Sequence, residues 1–500
     1  MSRSVDVAKG PVGTRMGWTL ILASIGAFLV SLDVVIVATA LPVIRTDLRA
    51  SLSDLEWTIN AYNLVFACLM LTGSALGDRF GRRRMYVFGL VVFAGASAAA
   101  ALSTTATELI MSRVVQGAGA AVLLPLTLTL VSDAFPIEKR GVAIGIWGGV
   151  AGLGVAMGPV IGGVIVENVD WSWIFWFNVP VALVAAVLSS VRLRESRGPR
   201  PQLDIVGLVL VGAGMFALTS APVRAPVIGW ASSEVIGALI VGVLLIAAFV
   251  AWEGRARYPM VPMAYFRSRG FTTANAVIFF QYISLIGSLF FITQLFEIGL
   301  SYSPLDTGVR LLVWMATPMV VAPIAGGLAD KFGNKPFMAL GMLLQTVGLG
   351  WLTLVVKTGV GYGSLVAPLI VAGVGISMVF PTSANAVVGS VPPEDAGVAS
   401  GTNTSLRELG GVFGVAILAA TFAANGSYNS PASFIDGVKP ALAVAALAPI
   451  IGLLAALVAP GRKAAMELAL SFRTAPTPVP SGAEEVSALQ FTAPPEAKSA

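Results

Sequence analysis

Asp33 and Arg113 stand inside apolar runs, Leu32-Asp33-Val-Val-Ile-Val-Ala-Thr-Ala-Leu41-Pro42 and Leu109-x3-Arg113-x2-Gln116-Gly117-x-Gly119-Ala120-Ala121. On insertion scales a charge at mid-bilayer costs roughly 2.5–3.5 kcal/mol, so each is expected to face a partner or a cavity. Asp33 is nine residues before Pro42 and Arg113 five residues past Glu108. If the two runs cross a membrane in opposite directions, a rise of about 1.5 Å per residue leaves a depth difference that an arginine side chain spans. A carboxylate whose cationic partner moves away in a second conformation binds a proton in one state and releases it in the other, which is how a proton is coupled to a movement. A permanent ion pair that only orders the helices would use the same two residues. The chain has no histidine, so the usual neutral-pH proton carrier and metal ligand is missing and proton chemistry falls to carboxylates. No metal site or cofactor motif is expected. Arg407 and Glu408 are a second ionisable pair within an apolar run. As neighbours about 100° apart around a helix they are expected to face different partners, either one lining an inner cavity.

Another constellation occurs twice. Gly73-Ser-Ala-Leu-Gly-Asp78-Arg79-Phe-Gly81-Arg-Arg83-Arg-Met85 ends one apolar run, and Gly327-Leu-Ala-Asp330-Lys331-Phe-Gly333-Asn-Lys335-Pro336 ends another, 252 residues later. The glycines ask for a tight turn and the acids sit at helix ends. Asp78, Arg79, Gly81 and Arg83, with Asp330, Lys331 and Gly333, are therefore expected to form a latch at one membrane face; ordinary topology-setting basic residues are the alternative. In Gly154-x3-Gly158-Pro159-x2-Gly162-Gly163 the missing side chains and the proline allow close helix approach or a hinge, and simple packing would use them equally well.

The elements that must carry these residues are membrane helices. Of 500 residues 56% are apolar and 11% charged, with mean hydropathy +0.85, against about 25% charged in soluble domains. Runs of bilayer length fall at 18–42, 57–76, 85–102, 108–131, 142–166, 173–191, 205–221, 235–252, 273–298, 307–328, 337–356, 364–388, 403–423 and 438–458, fourteen in all. With the N-terminus cytoplasmic, 23 of the 31 basic residues lie inside and six outside, so both termini are expected in the cytoplasm and the net charge of +5 reflects topology and not nucleic-acid binding. Cys68, alone, allows no internal disulfide.

The repeated acids lie eight helices apart where two six-helix halves would place them six apart, so two helices are inserted. The expected division is a cytoplasmic N-terminus (1–15), a six-helix bundle (16–192), a linker with inserted helices seven and eight (193–270), a second bundle (271–460) and a disordered cytoplasmic tail (461–500).

With these motifs in order, residues 16–460 resemble the fourteen-helix drug:proton antiporter branch of the major facilitator superfamily. The runs at Leu32 to Pro42, Gly77 to Arg83, Leu109 to Ala121 and Gly154 to Gly163 are similar to that branch's helix 1, loop 2–3, helix 4 and helix 5 motifs. Ser172 departs from an arginine common in relatives. The resemblance implies an all-α membrane protein with the major facilitator fold, export of an amphiphilic drug, antibiotic or toxic metabolite in exchange for protons, the cytoplasmic membrane as its site, and no obligate protein partner. It also implies that helix 4 serves proton transfer and that Asp78 meets the positive end of helix thirteen, beginning near Gly401.

A central cavity is expected to draw on Tyr62, Asn63, Phe66, Trp147, Phe280, Gln281, Gln294, Trp314 and Asn385, although aromatic residues on membrane helices more often pack or face lipid. A nutrient symporter would share the fold. A membrane enzyme or receptor would need a nucleotide loop, paired catalytic carboxylates or a sizeable extramembrane domain, none of which is legible.

Overall fold

The computed structural model describes residues 12–198, 204–229, 231–257, 259–427 and 429–467, all helix, turn and loop with no strand. Of the tail expected to be disordered (461–500), residues 462–467 are helical instead, and residues 468–500, together with Arg3, Lys9 and Arg200, lie outside the described residues. The helices are α1 Val12–Asp47, α2 Leu52–Phe80, α3 Arg82–Ala101, α4 Ala106–Ala134, α5 Ile137–Asn168, α6 Trp173–Trp176, α7 Asn178–Arg192, α8 Ile205–Ile228, α9 Ser233–Glu253, α10 Arg269–Gln294, α11 Pro304–Met315, α12 Thr317–Phe332, α13 Asn334–Val355, α14 Tyr362–Val388, α15 Ala396–Asn425 and α16 Pro431–Val458. Among the described residues thirteen spans are long and apolar enough to cross a membrane; in α8 the apolar stretch Ile205–Ala221 is shorter than these.

Local chemistry sets the breaks. Ser51 caps α2 and shares a reciprocal capping box with Asp54. The tenth apolar run splits at Ala316 into α11 and α12, where Pro318 occupies the first turn of α12 and has no N–H to donate. Gly81 (φ +110°) and Gly333 (φ +90°) make the two sharp turns of the repeat, in a backbone region that side chains rarely enter. Helix α15 begins at Ala396, earlier than the expected Gly401 region, because the polar stretch 400–405 is buried inside the helix where hydropathy alone does not find it.

Helices α1–α7 share two apolar cores, one around Tyr86, Phe93 and Trp147 and one around Leu32, Trp171 and Phe175. Helices α10–α16 share two others, around Phe291, Phe296 and Phe434 and around Phe271, Met338 and Met342. The α8–α9 pair packs through Val211, Met215 and Phe249 on Cys68 of α2 and Val398 of α15. Two straps flank the pair. On one side Ser196 O accepts from Arg82 N (2.8 Å) and Gly198 N donates to Asp78 O (2.9 Å); on the other the Tyr265 hydroxyl donates to Asp395 at the start of α15.

The two groups meet through glycines. A Cβ on Gly145 of α5 would lie 2.5 Å from Ala322 O of α12, and one on Gly149 would lie 3.0 Å from Pro318 O. On the opposite edge a Cβ on Gly401 of α15 would lie 2.7 Å from Ser74 Cβ of α2, and the Ser74 hydroxyl donates to Gly397 O (2.5 Å). By contrast Gly154 and Gly158 face Phe28 O (2.7 Å) and Val35 Cβ (2.9 Å) of α1. The expected glycine motif thus seams α5 to its own bundle, and the earlier glycines of the same helix meet the other one. Gly162 also faces α1 through Thr39 and Ile36, Gly163 is half-buried, and Pro159 follows Gly158 in α5. Gly145→Val should force α5 from α12 because backbone atoms cannot yield. Spin labels at the exposed positions 139 and 331 should then separate by several ångströms, and an unchanged distance would show that this contact does not set the spacing.

Candidate functional site

Asp33 and Arg113 meet at the centre of the first bundle, 0% and 1% exposed. Arg113 Nη1 donates to Asp33 Oδ2 at 2.5 Å. The other carboxylate oxygen accepts from Gln116 Nε2 (2.7 Å) and Asn178 Nδ2 (3.1 Å). Gln116 closes the ring by accepting from Arg113 Nη1 (2.6 Å) and donating to the Ser97 hydroxyl (2.9 Å). Arg113 Nε donates to Thr58 O (3.1 Å), and its guanidinium lies 4.2 Å from the Tyr62 ring centroid. Five helices thus contribute to one buried network, in which donors from α4 and α7 satisfy carboxylate oxygens that hydrocarbon would leave bare. Asn178 Oδ1 and the Tyr62 hydroxyl are buried without a partner. Gln116 was visible in the sequence only as a motif letter, and Asn178 carried no signal because a lone amide two residues before a proline looks like an ordinary helix start.

The repeated acids lie beside the glycine contacts between the two bundles. Asp330 Oδ1 and Oδ2 accept from Gly141 N (3.0 Å) and Val142 N (3.2 Å) at the start of α5. Asp78 touches Gly397 at the start of α15, and its Oδ1 accepts from Arg82 Nε at 2.8 Å. Each acid therefore faces a helix beginning in the other bundle. Behind this reciprocity stands a second repeat that sequence reading missed: Pro136-x-Glu138-x2-Gly141-Val-Ala-x-Gly145 returns as Pro392-x-Glu394-x2-Gly397-Val-Ala-x-Gly401, 256 residues on.

The basic partner of Asp78 is Arg82, not the expected Arg79 or Arg83. Arg82 is 2% exposed and also reaches Asp133 Oδ2 (2.5 Å) and Glu394 O (2.9 Å). Arg79 is exposed over Phe80, and Arg83 lies against Glu195 and the Ser190 carbonyl. Lys331 is exposed too.

A cavity of about 160 Å³ between the bundles is lined by Phe66, Trp147, Tyr282, Trp314 and Phe380, with Arg407 and Glu408. Trp147 stacks on Phe380 at 5.5 Å, and the Trp314 indole N–H is buried without a partner. Arg407 and Glu408 pair with each other at 2.9 Å, correcting the expectation that adjacent residues diverge, because both long side chains bend into the same space. Several residues expected in the cavity lie elsewhere. Tyr62 faces Arg113, and Asn63 is half-buried on α2. Phe280 packs on Phe279, and Gln281 donates to Ile376 O (2.9 Å). Gln294 donates to Phe290 O within its own helix, and Asn385 bonds Asn334 at the inner end. Among the described residues no cluster of side chains is suited to hold a metal.

The Major Facilitator Superfamily profile matches residues 23–415 and, in a second register, 296–487. The chain belongs to the Major Facilitator Superfamily. It is 38% identical over 423 residues to the tetracenomycin C resistance and export protein of Streptomyces glaucescens, covering 83% of this chain and 78% of that relative. A multidrug efflux pump of Mycolicibacterium smegmatis is 32% identical over 85% of this chain and 84% of its own length. The solved human organic anion transporter superposes with a TM-score of 0.65 at 14% identity, over 90% of this chain and all of that one, and shows the shared fold. As a Major Facilitator Superfamily member the chain is a multi-pass membrane transporter of small substrates and not an enzyme.

Removing Arg82 leaves the buried Asp78 without its cation and takes one of two partners from Asp133, whereas its counterpart in the second half, Asn334, holds only a neutral amide contact. Arg82→Ala should cost about 3–5 kcal/mol of stability, and Asn334→Ala about 0.5–1.5 kcal/mol. Thermal unfolding of the detergent-solubilised variants measures both, and equal losses would contradict the ionic assignment.

Proposed function

We propose that this chain is a proton-coupled antiporter of the fourteen-helix drug:proton branch, exporting amphiphilic drugs, antibiotics or toxic metabolites across the cytoplasmic membrane by alternating access, with both termini in the cytoplasm. Two six-helix bundles (16–192 and 271–460) carry the transport path, and the inserted segment 193–270 is accessory. The buried Asp33–Arg113 pair is the observation that supports coupling most directly: it is a carboxylate wholly removed from water and held against a cation on another helix. The names of the relatives support export.

In the cycle, substrate enters the aromatic cavity beside Arg407 and Glu408 while the inner latches of Asp78 and Asp330 are open. Rocking closes those latches and delivers the substrate outward. When α1 and α4 shift relative to each other, Arg113 leaves Asp33, and the bare carboxylate takes a proton from the outer side. Return of Arg113 expels that proton inward. Each charge moved across 100 mV supplies about 2.3 kcal/mol, enough to drive uphill export of a dilute solute.

Proteoliposomes with an imposed pH gradient and a fluorescent amphiphilic dye test this reading. Asp33→Asn should reduce gradient-driven accumulation to background while dye binding persists. Arg113→Lys should also be impaired, since an ammonium does not reproduce the two-pronged guanidinium. Full gradient-driven transport by Asp33→Asn would remove Asp33 as the proton site and leave Glu408 as the candidate.

The latch carries its own expectation. Asp78→Asn keeps the side chain's shape but weakens its attraction to Arg82 and to the start of α15, an interaction of roughly 0.3–2 kcal/mol with a helix terminus. Export should slow, and cysteines placed along the inner path should become more reactive while expression holds. Unchanged reactivity and unchanged export would dismiss the latch.

A further inference from the structure

The two inner latches share a backbone and differ in charge. In the first, Arg82 is held by Asp78 and Asp133, while Arg83 and Arg84 lie 3.6 and 3.7 Å from Glu195. The Glu195 carboxyl sits directly over Gly81, 2.7 Å from where a Cβ would stand. Moving 252 residues along the chain replaces these groups one by one: Arg82 by Asn334, Arg83 by Lys335 and Asp133 by Asn385. The ion pair becomes an amide pair, Asn385 Nδ2 donating to Asn334 Oδ1 at 3.2 Å. The place over the glycine, held by an acid in the first copy, is held in the second by a base: Arg462 Cβ lies 2.9 Å from where a Cβ on Gly333 would stand.

The outcome is a convergence of cations with no acid assigned to them. Lys331, Lys335 and Arg462 belong to separate segments gathered by the Gly333 turn, and their side chains form no ion pair or hydrogen bond with any described residue. With Arg140 they line a cavity of about 590 Å³ at the inner end of α12, α13 and α14. Two acids reach the same walls. Asp330 spends both oxygens on the amides of Gly141 and Val142, and Glu138 is exposed.

We propose that this cavity binds a phosphate-bearing anion, supplied either by the headgroup of an anionic phospholipid or by free phosphate. A tetrahedral anion offers several acceptor oxygens to donors arriving from different directions, and lysine and arginine are suited to it as point charge and fork respectively. It would provide the second half with the negative charge that Glu195 and Asp133 provide in the first. A basic pocket among helix ends on the positively flanked face is also where anionic headgroups are available.

Native mass spectrometry of the full chain, with dioleoylphosphatidylglycerol and dioleoylphosphatidylcholine as competing probes, tests the site. The wild type should retain phosphatidylglycerol in preference, with retention falling about fivefold for each of Lys331→Gln, Lys335→Gln and Arg462→Gln. Arg462→Glu, which restores the acid of the first copy, should abolish it; if that variant does not fold, Lys335→Gln decides the matter. Titration with inorganic phosphate then separates the sources. Loss of the lipid on adding phosphate, with a rise in melting temperature that Arg462→Gln lacks, assigns free phosphate; persistence of the lipid assigns the headgroup. Equal retention of both lipids with no response to phosphate would overturn the proposal. So would a loss of binding in Lys139→Gln, an exposed base outside the cavity, as large as in Arg462→Gln, because the attraction would then be general surface charge.

Discussion

A charge in hydrocarbon must be answered by a partner, and the described helices obey this rule wherever they bury one. Arg113 meets Asp33, Arg82 meets Asp78 and Asp133, and Arg407 meets Glu408. The first two partnerships tie together positions on different helices that apolar packing alone would leave free to slide. Helix α4 is registered against α1 by one pair, and the turn between α2 and α3 is registered against the end of α4 by another. The third brings opposite charges to the aromatic cavity, where an incoming molecule would compete with the pair for both of them.

The second constraint is backbone proximity. On the face of the Gly81 and Gly333 turns the two bundles touch through glycines, Gly145 against the main chain of α12 and Gly397 and Gly401 against Asp78 and Ser74 of α2, leaving no room for a further side chain. Contacts of this kind are specific without being strong, since they depend on shape and on a few hydrogen bonds such as Ser74 to Gly397 O. A seam of that character can be made and parted repeatedly, whereas an interface of interlocked large side chains would have to unpack each time. The acids at its margins add directionality: Asp330 accepts from the amides that begin α5, and Asp78, held by Arg82, lies against Gly397 at the start of α15.

Much of this was legible in the sequence, and the gaps have physical causes. Asp33 and Arg113 stood out because charge is rare in apolar runs, and their matched depths came from helix rise alone. The repeated Asp-x-Phe-Gly turn was equally visible. Which arginine pairs with Asp78 was not, because four arginines in Arg79 to Arg84 are chemically alike and only the phase of the first turn of α3 turns Arg82 inward. The glycine motif at Gly154 to Gly163 was found but its neighbour was not: spacing shows that a face is small and says nothing of which helix approaches it. Asn385 was misplaced for a related reason, since an amide near a helix end reads the same whether it lines a central cavity or an inner one. The start of α15 was lost because buried serine, threonine and asparagine mimic a loop in any hydropathy count.

The α8–α9 pair lies along only one of the two inner edges, resting on α2 and α15 and fastened at either side, to the α2–α3 turn by Ser196 and Gly198 and to the head of α15 by Tyr265. Among the described residues the α5–α12 edge carries no comparable tether. The two jambs of the same doorway are therefore mechanically unequal. Separating α2 from α15 stretches a closed loop of chain anchored at both ends, while separating α5 from α12 meets only local contacts. In the rocking cycle proposed above, such a tether would restrain travel on the α2–α15 side in a way that nothing restrains the α5–α12 side among the described residues.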